Sequence, residues 1–246
     1  MLKKSILFLA LFLIAATACA VDLTIDEIIN KVQANQGRIR DMYAETTTTM
    51  TSNMAMPGQE SKGPKTMEQK ARLWAKGEKL SKIETLTPIH QITVTNGTQM
   101  AIINVDTGQK VVQDLAKLNK EAGGMMSGQS GGRVSLDKVR EYFTLTMFED
   151  NGAYVVRGVP KKANPLMGRM EFYIDRDKWV PVKVMLYDTK GKQISRSDIK
   201  YQQINSIWVP ETNKSDMTTP MGTMKIEMSY DNVKINSGLK DELFTI

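Results

Sequence analysis

The chain has 246 residues, of which 41% are apolar and 24% charged, with a formal net charge of +6 and a single cysteine, Cys19. Cysteine usage this low excludes a small disulfide scaffold, and one histidine, His90, excludes a histidine-rich zinc site. The basic excess is mild and its Lys and Arg stand beside Asp and Glu, which argues against a nucleic-acid binder and leaves weak attraction to anionic lipid headgroups as its better use.

Residues 1–20 read as an export leader. Lys3 and Lys4 supply the positive start, Ile6 to Ala16 the apolar run, and Ala18-Cys19-Ala20 a small-residue cleavage site. Cutting after Ala20 leaves 21–246 as a single domain and removes two lysines and no acids, so the charge falls from +6 to +4. Ala16-Thr17-Ala18-Cys19 also loosely resembles a lipobox, in which Cys19 becomes a lipidated first residue, but the usual Leu or Val three places before it is missing. No stretch reaches the roughly 20 apolar residues of a membrane-spanning helix. The expectation is an exported, periplasmic protein, soluble or tethered through Cys19.

Thr24-Ile25-Asp26-Glu27 is a capping box, and Ile25, Ile28, Ile29 and Val32 form one apolar stripe behind it. This predicts an amphipathic helix of about a dozen residues, ended by Gly37 in the left-handed conformation and packed on a sheet. The threonine-rich run from Met42 to Met56 favours a strand, and Met56-Pro57-Gly58 begins a turn that ends near Pro64. Strands are expected near 66–76, 79–86, 90–95, 99–105 and 109–114, with hairpin turns at Asn96-Gly97 and Thr107-Gly108. The rhythm breaks between Leu115 and Phe143. Leu115, Leu118 and Ala122 suggest one short helix, and Ser135 caps a second carrying Leu136, Val139 and Phe143. Between them a glycine-rich segment, 123–132, holds Met125 and Met126. A meander then runs from Thr144 to about Lys234, with turns at Asn151-Gly152, Asn164-Pro165, Asp175 to Lys178, Lys190-Gly191 and Pro220 to Gly222.

The phrase Trp-Val-Pro occurs twice in this meander, at 179–181 and 208–210, and reads as a doubled strand element. Met170, Phe172 and Ile174 precede the first copy, and Met224, Ile226, Met228 and Tyr230 follow the second, each pair separated by one polar residue. Period two gives one wet face and one apolar face. That inner face needs either its own packed core or a lipid-like ligand.

Catalytic equipment is scarce. His90 sits among Ile89, Ile92 and Val94 as a strand residue, and Asp175, Asp177 and Asp188 fall at turns, where aspartate serves the backbone. The glycine segment lacks the Gly-Lys-Ser/Thr ending of a phosphate loop. No catalytic residue, metal site or cofactor is expected.

Taken together, these features resemble the bacterial outer-membrane lipoprotein carrier family (LolA-like). The resemblance rests on the leader, the helix opening at Thr24 to Glu27, Arg72-Leu73-Trp74-Ala75-Lys76, and Tyr173-Ile174-Asp175 before Trp179-Val180-Pro181. It extends to the closing phrases Val233-Lys234-Ile235-Asn236 and Asp241-Glu242-Leu243-Phe244. It implies a mainly β fold with some α, an incomplete and strongly curved antiparallel half-barrel with a helical lid enclosing a cavity for lipoprotein acyl chains. The lid would be the opening helix with the 115–143 insertion. The family's arginine after the Trp-x-Lys strand is replaced here by Gly77-Glu78. Implied partners are an inner-membrane release complex and an outer-membrane acceptor, with the carrier a monomer.

An acyl chain of about 16 carbons leaving a membrane exposes surface costing on the order of 12 kcal/mol, so a soluble carrier must shield it. Flexible, polarizable methionine suits such a cavity, and 16 of the 17 methionines lie beyond the leader. Met170, Phe172, Ile174, Met224, Ile226 and Met228 on the sheet, Met125 and Met126 on the insertion, and Ile28 and Val32 on the helix are the candidate lining residues. A second reading is a sensor or partner-binding module of the same fold, tethered through lipidated Cys19.

Overall fold

The structure, a computed structural model, describes residues 23–54, 63–117, 136–165, 167–220 and 222–246. Helix α1 (Ile25–Gly37) comes first, followed by β1 (Asp41–Ser52), β2 (Lys65–Lys76), β3 (Leu80–Thr87), β4 (Gln91–Asn96), β5 (Gln99–Asn104) and β6 (Lys110–Asp114). Helix α2 (Leu136–Tyr142) precedes β7 (Phe143–Asp150), β8 (Ala153–Pro160), β9 (Arg169–Asp175) and β10 (Pro181–Tyr187). Three long strands complete the sheet, β11 (Gln193–Ile204), β12 (Ile207–Thr219) and β13 (Gly222–Ile235), before a 3-10 helix at Asp241–Phe244.

The strands form one antiparallel sheet in the order β6-β5-β4-β3-β2-β1-β13-β12-β11-β10-β9-β8-β7. Two hairpin meanders, β1 to β6 and β7 to β13, are thus joined along β1 and β13, from Met42 opposite Ile235 to Ser52 opposite Met224. The sheet does not close on itself. It is the expected curved half-barrel, and register shifts at Tyr43/Glu45, Lys70/Ala71 and Lys200/Tyr201 bend its long strands.

The capping box forms as its spelling predicts. The Thr24 hydroxyl accepts from the Glu27 amide at 3.2 Å, and the Glu27 carboxylate accepts from the Thr24 amide at 2.8 Å. The helix does not end through a left-handed Gly37. Arg38 follows in the right-handed region, and its amide donates back to Asn35 and Gln36, which tightens the last turn without needing glycine's freedom. Phe143 belongs to β7 rather than to the preceding helix. The cap at Ser135 and the residues Leu118 and Ala122 lie outside the described residues.

The two Trp-Val-Pro phrases are not equivalent. Trp208, Val209 and Pro210 lie inside β12, whereas Trp179 has φ +54° in the turn before β10 and only Pro181 enters the strand. Trp179 is held there by stacking on Tyr154 at 5.8 Å, with the Lys31 ammonium 4.6 Å from its ring.

The seam between the two meanders is locked at one rim by Asp41, which is 4% exposed. Its carboxylate accepts from the Ser237 amide at 2.7 Å, the Ser237 hydroxyl at 3.1 Å and the Gly238 amide at 3.0 Å. Burial pushes this carboxyl up, but the donors of Ser237, Gly238 and Leu239 outweigh it and hold it below its ordinary value. A depressed pKa adds stability above the unfolded value and loses it as pH falls through the folded one. Replacing Asp41→Asn should cost about 1–3 kcal/mol at neutral pH. Denaturant titrations should show that difference shrinking below about pH 4; a pH-independent difference would place the cost elsewhere.

Candidate functional site

Residues paired directly across neighbouring strands share a face of the sheet. Following the pairings, Met67, Met50, Ile226, Ser215 and Ser197 form one row, which continues through Val184, Phe172 and Val156 to Met147. A second row on the same face runs Met224, Met217, Ser195, Leu186, Met170, Gly158 and Leu145. Met228 lies two residues along β13 from Ile226, opposite Thr48 and Asn213. The six sheet candidates are therefore brought onto a single surface spanning both meanders.

That surface is covered unevenly. Over β8 and β9, Ile28, Ile29 and Val32 of α1 pack with Tyr154, Val156, Phe172 and Ile174 into a closed cluster, flanked by Met170, Val139 of α2 and Trp179. Ile28, Val32, Phe172 and Ile174 are all at most 4% exposed, so these four serve as packed contact between helix and sheet. A second cluster, Ile39, Met42, Leu73, Ile207, Val209 and Ile235, fills the same face near the rim where α1 ends. Met170, at the edge of the first cluster, is half-buried, and beyond both clusters Met224, Ile226 and Met228 are half-buried too, alternating along β13 with exposed Thr223, Lys225 and Glu227. Met50, Met217 and Leu186, which the sequence did not single out, share this half-buried strip. On the β2 to β6 arm the row Ala44, Leu73, Ile83, Thr93, Ile102 and Val111 goes from buried Ala44 and Leu73 through partly exposed Ile83, Thr93 and Ile102 to Val111 at 54% exposure. Met125 and Met126 lie outside the described residues.

Helix α1 is fixed over this face by polar contacts at both ends. Asn35, buried, donates its amide to the Trp208 carbonyl at 3.2 Å and accepts from the Trp208 amide at 3.4 Å, so one side chain pairs with β12 as a strand would. Arg38 donates to the Ser206 carbonyl at 2.9 Å. At the other end Asp26 is ion-paired with Arg140 of α2, which couples the two helices. Gly77, at the position where the resemblance implies a lid arginine, has φ +58° and donates its amide to the Arg40 carbonyl. A β2–β3 turn occupies that position, and the helix contacts described here come from Asp26, Asn35 and Arg38 instead.

The buried carboxylates are structurally engaged. Glu171, with a side chain 3% exposed on the opposite, convex face, accepts from Arg157 at 2.9 Å, Arg169 at 3.1 Å and the Tyr187 hydroxyl at 3.1 Å. Burial pushes its carboxyl up, yet the Tyr187 hydroxyl and the two guanidinium groups hold it below the usual range. Burial and the Glu171 charge push the Tyr173 phenol up to about 12. A carboxylate held ionised by two arginines is a clamp, not a general acid. His90 Nε2 lies 3.1 Å from Glu84. Among the described residues no group of three or more His, Cys, Asp or Glu is placed to hold a metal ion, and no helix is long and apolar enough to cross a membrane.

Similarity to known proteins fits this geometry. A family profile described as an uncharacterized protein matches residues 131–246. A DUF1329 family protein from Desulfovibrio piger superposes with a TM-score of 0.62 at 17% identity, covering 90% of this chain and 97% of its own. A LolA superfamily protein from Nitrosomonas europaea gives 0.59 at 13% identity over 91% and 98% of the two chains. The chain has the LolA fold. A domain described as outer membrane lipoprotein-sorting, from Vibrio parahaemolyticus, gives 0.56 at 16% identity over 88% and 95%. Among curated proteins none matches.

In this LolA fold the helix contact is separable from the sheet. Replacing Asn35→Leu leaves the Trp208 amide and carbonyl without their partner and should cost about 1–3 kcal/mol. Hydrogen exchange should rise first in α1. A uniform rise through all strands would mean that Asn35 supports the whole sheet rather than the helix.

Proposed function

We propose that the protein is a periplasmic carrier that shields the acyl chains of lipoproteins or related lipids on its concave face and releases them without covalent chemistry. The observation that carries this reading is the half-buried strip of Met50, Ile226, Met224, Met217, Leu186 and Met170, which crosses both meanders with serines between its apolar members and stays open beyond the α1 cluster. A core would bury these side chains fully. A surface exposed for no purpose would not align them in register over so many strands. Methionine dominates the strip, and its unbranched thioether adapts to chains of varied shape.

The LolA fold and the sorting domain from Vibrio parahaemolyticus support a lipid or lipoprotein as the occupant, and an exported, periplasmic setting agrees with the leader at residues 1–20. On this reading the fixed floor is Phe172 and Ile174 under Ile28 and Val32, and the adaptable wall is Met224, Ile226, Met228 and Met170. The loading and receiving partners on this reading lie at the inner and outer membranes.

Introducing a charge tests the assignment directly. Ile226→Asp or Met228→Asp should lower retention of a 16-carbon acyl probe at least about tenfold, while the thermal midpoint falls by only a few degrees because both sites are half-exposed. Probe retention unchanged in both variants would show that the strip is not the acyl site.

A further inference from the structure

Because the strands alternate in direction, their turns divide between two rims. One rim, where α1 ends, carries Arg38, Arg40, Lys79, Arg176 and Lys178 among Glu78, Asp150, Asp175 and Asp177. Its charges compensate one another, as in the Lys178 to Asp175 pair at 3.1 Å. The other rim is different in both charge and polarity. Lys161 and Lys162 follow β8, and Lys190 and Lys192 stand in the β10–β11 turn. All four are exposed, and none forms an ion pair among the described residues.

These lysines are brought together by backbone contacts. The Gly168 amide donates to the Tyr187 carbonyl at 2.8 Å, and a Cβ on Gly168 would lie 2.4 Å from the Asp188 carbonyl oxygen, so only glycine lets the two turns approach this closely. Asp188, the nearest carboxylate, is occupied by the amides of Lys190 at 2.9 Å and Lys192 at 2.8 Å. The Lys161 amide donates to the Tyr142 carbonyl, which places a 39% exposed tyrosine at the edge of the cluster, beside Val159 at 44%. Across the mouth of the half-barrel the same rim presents Ile89, at 57% the most exposed large apolar side chain among the described residues, with Val105 joined to it through the His90 carbonyl and followed by an exposed Asp106.

We infer that this rim docks on an anionic lipid bilayer, with the four lysines at the headgroups and Tyr142, Ile89 and Val105 entering the interface. Flexible ammonium groups without a preformed acceptor geometry suit a diffuse anionic surface, whereas recognition of one carboxylate or phosphate favours the planar fork of arginine. Aromatic and aliphatic tips beside lysines are the arrangement that sits at a membrane boundary. The rim is also the one toward which Met224 and Met217 run on the concave face, so docking would bring the end of the strip to the bilayer. This goes beyond the carrier reading and stands on the rim alone.

Flotation with phosphatidylcholine vesicles, with and without about three in ten phosphatidylglycerol lipids, tests it, using full-length protein carrying Cys19→Ala so that no acyl anchor contributes. Binding is expected only to the anionic vesicles and should be lost at high salt. Lys190→Glu with Lys192→Glu should weaken it about 25-fold or more, at roughly fivefold per lysine. Ile89→Asp with Val105→Asp should weaken it about tenfold. Acyl-probe retention should be unchanged in both, so failure of the rim and failure of the carrier reading are distinguishable. Equal binding to both vesicles, no binding to either, or unaltered binding by the lysine variant overturns the inference. So does binding to soluble polyglutamate without binding to vesicles, which would assign the lysines to an acidic protein.

Discussion

The structure depends on how the concave face of an open antiparallel sheet is covered. A sandwich solves this with a second sheet and a closed barrel with its own curvature. Here α1 supplies the cover, and it is short. Its stripe of Ile28, Ile29 and Val32 seals β8 and β9 against water but cannot also reach the β13, β1 and β2 strands that share the face. The half-buried residues follow from that mismatch between a helix of 13 residues and a sheet of thirteen strands.

The two faces of the same strands show the division of labour. On the convex side Glu171 draws Arg157, Arg169 and Tyr187 into one clamp, and neighbouring rows alternate charge, as where Arg196 faces Asp216 and Asp216 faces Lys225. These contacts order β8 to β13 without drawing on the concave face. The arms can therefore hold their curvature while Met50, Ile226 and Met217 remain uncommitted. Most surface pairs of this kind contribute little. Glu171 is the exception, because its buried carboxylate would be costly without its donors.

Much of this was legible in the sequence because it is written in local periodicity. Alternation along Met224, Ile226 and Met228 gave the face, the Thr24 to Glu27 spelling gave the helix start, and glycine and asparagine marked the turns. What stayed hidden depends on tertiary pairing. Met50 and Met217 are surrounded by threonine, serine and aspartate, so nothing local marks them, and only the register places them beside Ile226 and Met224. Asn35 reads as one more polar helix residue until β12 lies beneath it. Trp179 misled because its neighbours spell a strand, whereas stacking on Tyr154 and Lys31 stabilises a left-handed backbone that propensity disfavours.

An apolar site that must release its occupant cannot be built like a core. Each methylene transferred from a bilayer to a tightly complementary cavity would be held by dispersion as well as by exclusion from water, and return to the membrane would become uphill. A strip of methionines interrupted by Ser195, Ser197 and Ser215, with Thr48 at its margin, offers shielding without close fit. On the proposed carrier reading, the rigid cluster under α1 sets the depth of the face and the looser strip sets the affinity for an acyl chain. Separating those two tasks along one register lets a stable fold carry a weakly complementary surface, which is the thermodynamic condition that the proposed uptake and release of a lipid would require.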